Sequence, residues 1–257
     1  MNIDKIKFIR SKLNKNKVSI GSWMQISSTS IAEIMGCAGY DWITIDLEHG
    51  SISLSDLPDL FRAIELGNTL PLTRIAQAHS KDCKQALDAG SGGIIVPMIQ
   101  SSKQLEEIRD ACRWPPAGTR GVGFSRTNLF GKYFNEYKKE AQSPLLIAQI
   151  ENINAVENLE EILKVEGLDA IMIGPYDLSA SMGITADFGN EAFITVLDRI
   201  INLCNQYKVP CGDHVVQPDS NWLNNRIKQG FRFLAYSADA VFLNHIIQCP
   251  NIEREKN

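Results

Sequence analysis

The sequence predicts a (β/α)8 barrel in a single domain. Eight short, β-rich apolar runs alternate with helical patterns along the whole chain, and acids, bases and one arginine gather where those runs end. The third observation is size. At 257 residues and 44% apolar content, one barrel accounts for residues 1–257, buries a large core and leaves no second domain to place.

The apolar runs cover residues 18–24, 41–46, 70–75, 92–96, 145–150, 168–173, 209–214 and 232–236. Each has the length of a strand rather than a helix. Helical patterns are expected over 30–38, 55–66, 81–89, 103–111, 155–165, 191–207, 218–229 and 238–248, with Ser55 and Ser80 placed to cap two of them. An N-terminal helix over about 3–14 carries Ile3, Ile6, Phe8, Ile9 and Leu13 at roughly helical spacing. Such a stripe is expected to close the barrel floor rather than lie on a membrane. The connection 113–143, rich in Gly, Arg and aromatic residues, is too long for an ordinary loop and is expected to be functional.

Composition excludes several classes. A net charge of -4 argues against a nucleic-acid surface, so the expected ligand is small. Six cysteines without Cys-x-x-Cys pairing read as reduced cytosolic thiols. The basic first twenty residues hold no apolar core of signal-peptide length, and no later run reaches membrane-spanning length, so the expected location is the cytoplasm.

In a barrel of this kind, chemistry sits at strand C-termini. Those positions here are Trp23 and Gln25, Asp46, Glu48 and His49, then Arg74, Pro97, Glu151, Asp177, His214 and Ser237. Glu151 closes the run 145–150, and Asp177 follows the next run after a Gly174-Pro175 turn. Each has a bland alternative, a salt bridge for Glu151 and a helix cap for Asp177. As carboxylates on neighbouring strands they are expected to hold one divalent cation, with substrate oxygens and water filling its other positions.

Asp46 and His49 read as a general-base dyad, in which the carboxylate fixes the imidazole tautomer; His214 is the rival base. Arg74 ends an apolar run and needs an anion. That anion is Glu151 or Asp46 in the structural reading, or a substrate carboxylate or developing enolate in the favoured one. His79 and His245 fall in helical surroundings. The backbone of the turn Gly174-Pro175-Tyr176-Asp177 can face a carboxylate or phosphate. Gly118-Thr119-Arg120-Gly121-Val122-Gly123 is neither a P-loop nor a dinucleotide fingerprint. No strand end carries the lysine of a Schiff-base aldolase, so the duty of an electron sink falls to a metal, which can polarise a 2-keto acid and stabilise its enolate by several kcal/mol.

Taken together, Asp46-x-Glu48-His49-Gly50, Arg74, Val96-Pro97-Met98, Gly118-x-Arg120-Gly121-x-Gly123, Gln149-x-Glu151 and Gly174-Pro175-Tyr176-Asp177-Leu178-Ser179 resemble the HpcH/HpaI aldolase family over about residues 21–243. The resemblance implies a divalent-metal-dependent lyase (Mg2+, Mn2+ or Co2+) that cleaves a 4-hydroxy-2-keto acid to pyruvate and an aldehyde. By it, Glu151 and Asp177 hold the metal, His49 with Asp46 is the base, and Arg74 stabilises the enolate. Trp23, Gln149 and the stretch Gly174, Pro175, Tyr176 and Asp177 bind substrate. It further implies a homo-oligomer, a hexamer or trimer of dimers with helices exchanged between neighbours. The segment 123–131 departs from the familiar members, which leaves the aldehyde open. The alternatives are a citrate-synthase-like synthase, an acyl-CoA lyase, or a keto-acid-binding protein without turnover.

Overall fold

The computed structural model describes residues 2–249. Eight parallel strands close on themselves in sequence order. They are β1 (Ser19–Met24), β2 (Trp42–Asp46), β3 (Leu70–Arg74), β4 (Gly93–Val96), β5 (Leu145–Ile150), β6 (Ala170–Ile173), β7 (Cys211–Val215) and β8 (Phe233–Ala238). The expected barrel is therefore the observed one. The helices are α1 (Ile3–Asn14), α2 (Thr29–Gly36), α3 (Leu57–Leu66), α4 (Ser80–Ala89), α5 (Ser102–Cys112) and α6 (Phe134–Ala141), followed by α7 (Ile153–Glu157), α8 (Leu159–Leu163), α9 (Pro175–Ser181), α10 (Glu191–Tyr207), α11 (Ser220–Gln229) and α12 (Asp239–Ile246).

Parallel strands covered on both faces need continuous apolar runs, and β4, β5 and β6 are buried at every position. One apolar layer lies between the strands and the outer helices. A second fills the barrel, where the Trp42 and Phe233 rings stack at 4.4 Å. That stack requires Gly21, since a Cβ there would lie 2.0 Å from the indole. Ile6, Ile9 and Leu13 of α1 join the same cluster, so the N-terminal helix plugs the floor as its sequence implied. Arg10 pins it to Asp169 at 2.6 Å, and Lys12 to Asp41 at 2.7 Å.

Local expectations were corrected in four places. Ser55 caps nothing, because Asp56 holds the cap position and closes on the Ser53 N–H and hydroxyl, and Pro58 stands in the first turn of α3. Ser80 is the first residue of α4, and the His79 Nδ1 accepts the Lys81 N–H as its cap. The single helix expected over 155–165 is two short ones that meet at Asn158. β7 begins after Pro210, which has no N–H to give a ladder, so the run expected at 209–214 slides to Cys211–Val215.

The connection 113–143 joins a helix to a strand, which puts it at the N-terminal face of the barrel. It forms a 3-10 turn (Arg126–Asn128) and α6, and Arg126 fastens it to Glu65 at 2.7 Å and to the Ala89 carbonyl at 3.1 Å. No helix among the described residues is long and apolar enough to cross a membrane.

If α1 closes the floor, Ile9→Ala should cost about 2–5 kcal/mol of unfolding free energy, the range for truncating a buried aliphatic side chain. Phe8→Ala on the same helix, 56% exposed, should stay within about 0.5 kcal/mol. Urea unfolding of both variants reads this, and equal losses would show that α1 is not part of the core.

Candidate active site

Two cavities compete by size. One of about 650 Å³ lies between α10 and α11 and is lined by none of the strand-end residues. A smaller one, about 320 Å³, opens at the C-terminal mouth and is lined by Trp23, Gln25, His49, Arg74, Gln149 and Asp177, among others. The second is the site by position.

β2 and β3 pair with Asp46 opposite Arg74, so both side chains point the same way from adjacent strands. Arg74 Nε donates to Asp46 at 2.9 Å and its Nη2 at 2.6 Å, a bidentate pair between buried partners. Gln25 adds a third donor at 3.1 Å. Burial alone would raise the Asp46 carboxyl, but the Arg74 hydrogen bonds outweigh it and hold the group below its ordinary range.

This corrects the dyad expected from the sequence. Asp46 accepts the backbone N–H of His49, not its ring, and its oxygens are committed to Arg74. The cause is register: Arg74 faces Asp46 across the ladder, whereas His49 lies three residues on, exposed at the rim of the cavity. Arg74 therefore takes the structural partner considered for it, while one face of the guanidinium still lines the cavity. It also lies over the Trp23 ring at 5.2 Å, and Trp23 stacks on His214 at 5.0 Å.

Glu151 is 2% exposed. It accepts the Met98 N–H at 2.6 Å and the Gln149 amide at 2.5 Å. Met98 adopts a φ of 54°, a left-handed conformation that places this N–H. Gly174 leaves room for the carboxylate, because a Cβ there would stand 2.6 Å from Glu151 Oε2. Burial, reinforced by the Glu48 and Asp177 carboxylates, pushes the Glu151 carboxyl up to about 7. Asp177, in the first turn of α9, is exposed and caps nothing, since Gly174 holds the cap position.

Glu48 was among the strand-end residues but assigned no role. Burial raises its carboxyl, with Asp46 and Asp177 adding to the effect against Arg74. Its Oε2 lies 3.0 Å from Arg74 Nη1 in a geometry too bent for a hydrogen bond, and it is otherwise unpartnered; the buried Gln149 Oε1 has no partner either. This site suits a hard cation. The Glu48 and Asp177 carboxylates add to the proton affinity that burial gives Glu151, and the buried Glu48 Oε2 and Gln149 Oε1 lack hydrogen-bond partners among the described residues. Among the described residues no three of His, Cys, Asp and Glu are grouped to hold an ion, so an ion held by Glu151 and Asp177 would take its remaining oxygens from elsewhere.

A (β/α)8 barrel with clustered carboxylates, a clamped guanidinium and imidazoles at its C-terminal mouth is built as an enzyme. The chain belongs to the HpcH/HpaI aldolase/citrate lyase family, whose model matches residues 19–245. A hydroxypyruvate/pyruvate aldolase of Roseobacter denitrificans is 32% identical over 91% of each chain. A 2-keto-3-deoxy-L-rhamnonate aldolase of Escherichia coli is 33% identical over 89% of this chain and 88% of that one. The crystal structure of an HpcH/HpaI aldolase/citrate lyase family protein from Burkholderia cenocepacia superimposes with a TM-score of 0.87 at 29% identity, covering 93% and 95% of the two chains. The aldolase resemblance read from the sequence is borne out, and with it the class of enzyme, a carbon–carbon lyase.

His214 is enclosed at its ring, and burial pushes its pKa down to about 4 from 6.5. The unfolded imidazole takes up a proton near pH 6.5 that the folded ring refuses. The contribution to stability is thus complete above about 6.5 and lost as pH falls toward 4. Urea midpoints across that range should fall less steeply in His214→Phe than in the wild type; parallel slopes would mean that the folded ring titrates normally.

Proposed function

We propose that the chain is a divalent-metal-dependent aldolase that reversibly cleaves a 4-hydroxy-2-keto acid to pyruvate and an aldehyde. The observation that carries this reading is the buried Glu151 carboxylate, which has carboxylate neighbours and no arginine or lysine of its own. Glu151 and Asp177 are the proposed ligands. Their all-oxygen chemistry favours Mg2+, Mn2+ or Co2+ over a zinc cage. When bound, such an ion acts as a Lewis acid toward the keto-acid oxygens.

The chain's own groups do the rest. Gln149 and the backbone of Gly174, Pro175, Tyr176 and Asp177 orient the keto acid over Trp23. Arg74, held flat by Asp46, stabilises the enolate oxygen by its charge and by the in-plane N–H groups that Asp46 leaves free. His49 at the rim moves the proton of the C4 hydroxyl. Asp46 becomes a positioning residue for Arg74 rather than part of the base.

The proposed homo-oligomer, a hexamer or trimer of dimers, draws support from uncovered apolar surface. Ile246 and Ile247, at and just beyond the end of α12, are 76% and 71% exposed, and Phe124 and Phe130 of the long connection are 73% and 67% exposed.

Pyruvate release from a panel of 4-hydroxy-2-keto acids, with and without a chelator, tests the activity. Turnover that vanishes on chelation and returns with Mg2+ or Mn2+ is expected. Full activity in chelator, or release of acetyl groups from acyl-CoA substrates alone, would sink the reading.

Two sets of variants separate the roles. Glu151→Ala and Asp177→Ala should abolish the heat of metal titration, whereas His245→Ala on the exposed α12 should leave it. His49→Ala should keep metal affinity and lower kcat by roughly 10² to 10⁴, the usual effect of losing a general acid–base group. A wild-type rate in His49→Ala would remove that residue from the chemistry.

A further inference from the structure

His214 is a partly buried imidazole that the proposed chemistry leaves unused. It sits on β7 with its ring in the wall of the mouth cavity, and also in the wall of a side cavity of about 90 Å³. Pro175, Tyr176 and Val216 are the other residues common to both walls, so the side cavity leads directly off the site. The remaining lining is apolar at Phe188, Val215 and Trp222 and charged at Asp213 and Arg226, which pair with each other at 2.7 Å.

Hydrogen bonding settles the tautomer of this ring. Nε2 lies 3.0 Å from the Ser237 carbonyl oxygen, which can only accept, so Nε2 carries the proton. Ser237 has a φ of 55°, a left-handed conformation at the end of β8 that turns its carbonyl toward the ring. In the neutral ring, Nδ1 is then an acceptor and nothing else. It has no protein partner among the described residues, and the ring that carries it lines both cavities, so Nδ1 is left free for a ligand there. The Trp23 stack behind the ring keeps it from turning.

We propose that His214 determines specificity for the aldehyde half of the substrate, its Nδ1 accepting a hydrogen bond from a hydroxyl carried next to the carbonyl. The inference rests on the aldolase reading and adds the acceptor class, a short hydroxyaldehyde. The side cavity bounds the chain length. At about 90 Å³ against about 320 Å³ for the mouth, it is the smaller space and favours a short tail. A site built around an acceptor also disfavours an acceptor aldehyde that lacks the hydroxyl, because Nδ1 then loses its water and gains no partner.

Because burial keeps the ring neutral well below pH 7, the preference should persist through the acidic range in which an ordinary histidine becomes a donor. Arg74 and Asp46 are the charged groups that bear on the ring, and they oppose each other.

The test compares aldol addition of pyruvate to glycolaldehyde and to propionaldehyde by the Mg2+-loaded enzyme. The two differ by a hydroxyl for a methyl. The wild type should favour glycolaldehyde by tenfold or more in kcat/KM, and His214→Leu should bring the ratio near one. If the wild type adds pyruvate to neither of these nor to any other aldehyde, the aldolase reading itself fails. If the wild type adds both without preference, or His214→Leu keeps the preference, the inference alone is overturned. Ring 15N NMR of the wild type is independent of any variant. A protonated Nε2 with a bare Nδ1 is expected, and a protonated Nδ1 overturns the assignment.

Discussion

The Asp46–Arg74 pair is the contact on which the rest of the mouth depends. Both partners are buried, and two parallel hydrogen bonds fix the plane of the guanidinium. Such a pair gains little net stability after desolvation, but removing either partner strands a buried charge. Its consequence is orientation. Arg74 lies over Trp23, Trp23 stacks on His214, and His214 is tied to Ser237, so one in-register pair between β2 and β3 sets the planes of three site side chains.

Legibility followed the range of the interaction. Strands buried on both faces need unbroken apolar runs, so the eight strands, their order and the strand-end residues could be read locally. Cap errors at Ser55 and Ser80 came from choosing by residue type: Asp56 holds the cap position of α3 with its carboxylate turned back to Ser53, and at α4 the cap is His79, one step before Ser80. The dyad failed because Asp46 and His49 are close in sequence, whereas Arg74 is close in register, and a ladder partner outranks a loop neighbour. The long connection was read as functional from its length and its Gly, Arg and aromatic content. Its place after a helix and before a strand already assigns it to the barrel floor, and within the single chain it lines no part of the mouth cavity.

The charge environment of Glu48, which the sequence placed at a strand end without a role, and the tautomer of His214 were not legible. A glutamate two residues past a strand looks like a solvated loop residue until Arg74 and Asp177 come near it. The roles of the His214 nitrogens depend on a main-chain carbonyl on β8, 23 residues away, and on the left-handed backbone that aims it. Neither leaves a trace in residue type or spacing.

Charge around the mouth makes the strongest case for a cation. Asp46, Glu48, Glu151 and Asp177 are four carboxylates; Arg74 is the one guanidinium or ammonium that the interactions described here bring among them, and it is spent largely on Asp46. His214 is held neutral and adds nothing. An anionic keto acid entering such a site meets net repulsion, and the high proton affinity of Glu151, set first by burial, is raised further by the Glu48 and Asp177 carboxylates. A bound proton would cancel one charge but would block the oxygen lone pairs. A divalent ion cancels two, needs those same lone pairs, and leaves coordination positions open to the substrate's own oxygens. The arrangement is therefore costly for the protein alone and favourable for the protein with ion and substrate together, which is how a site makes binding of one conditional on the other.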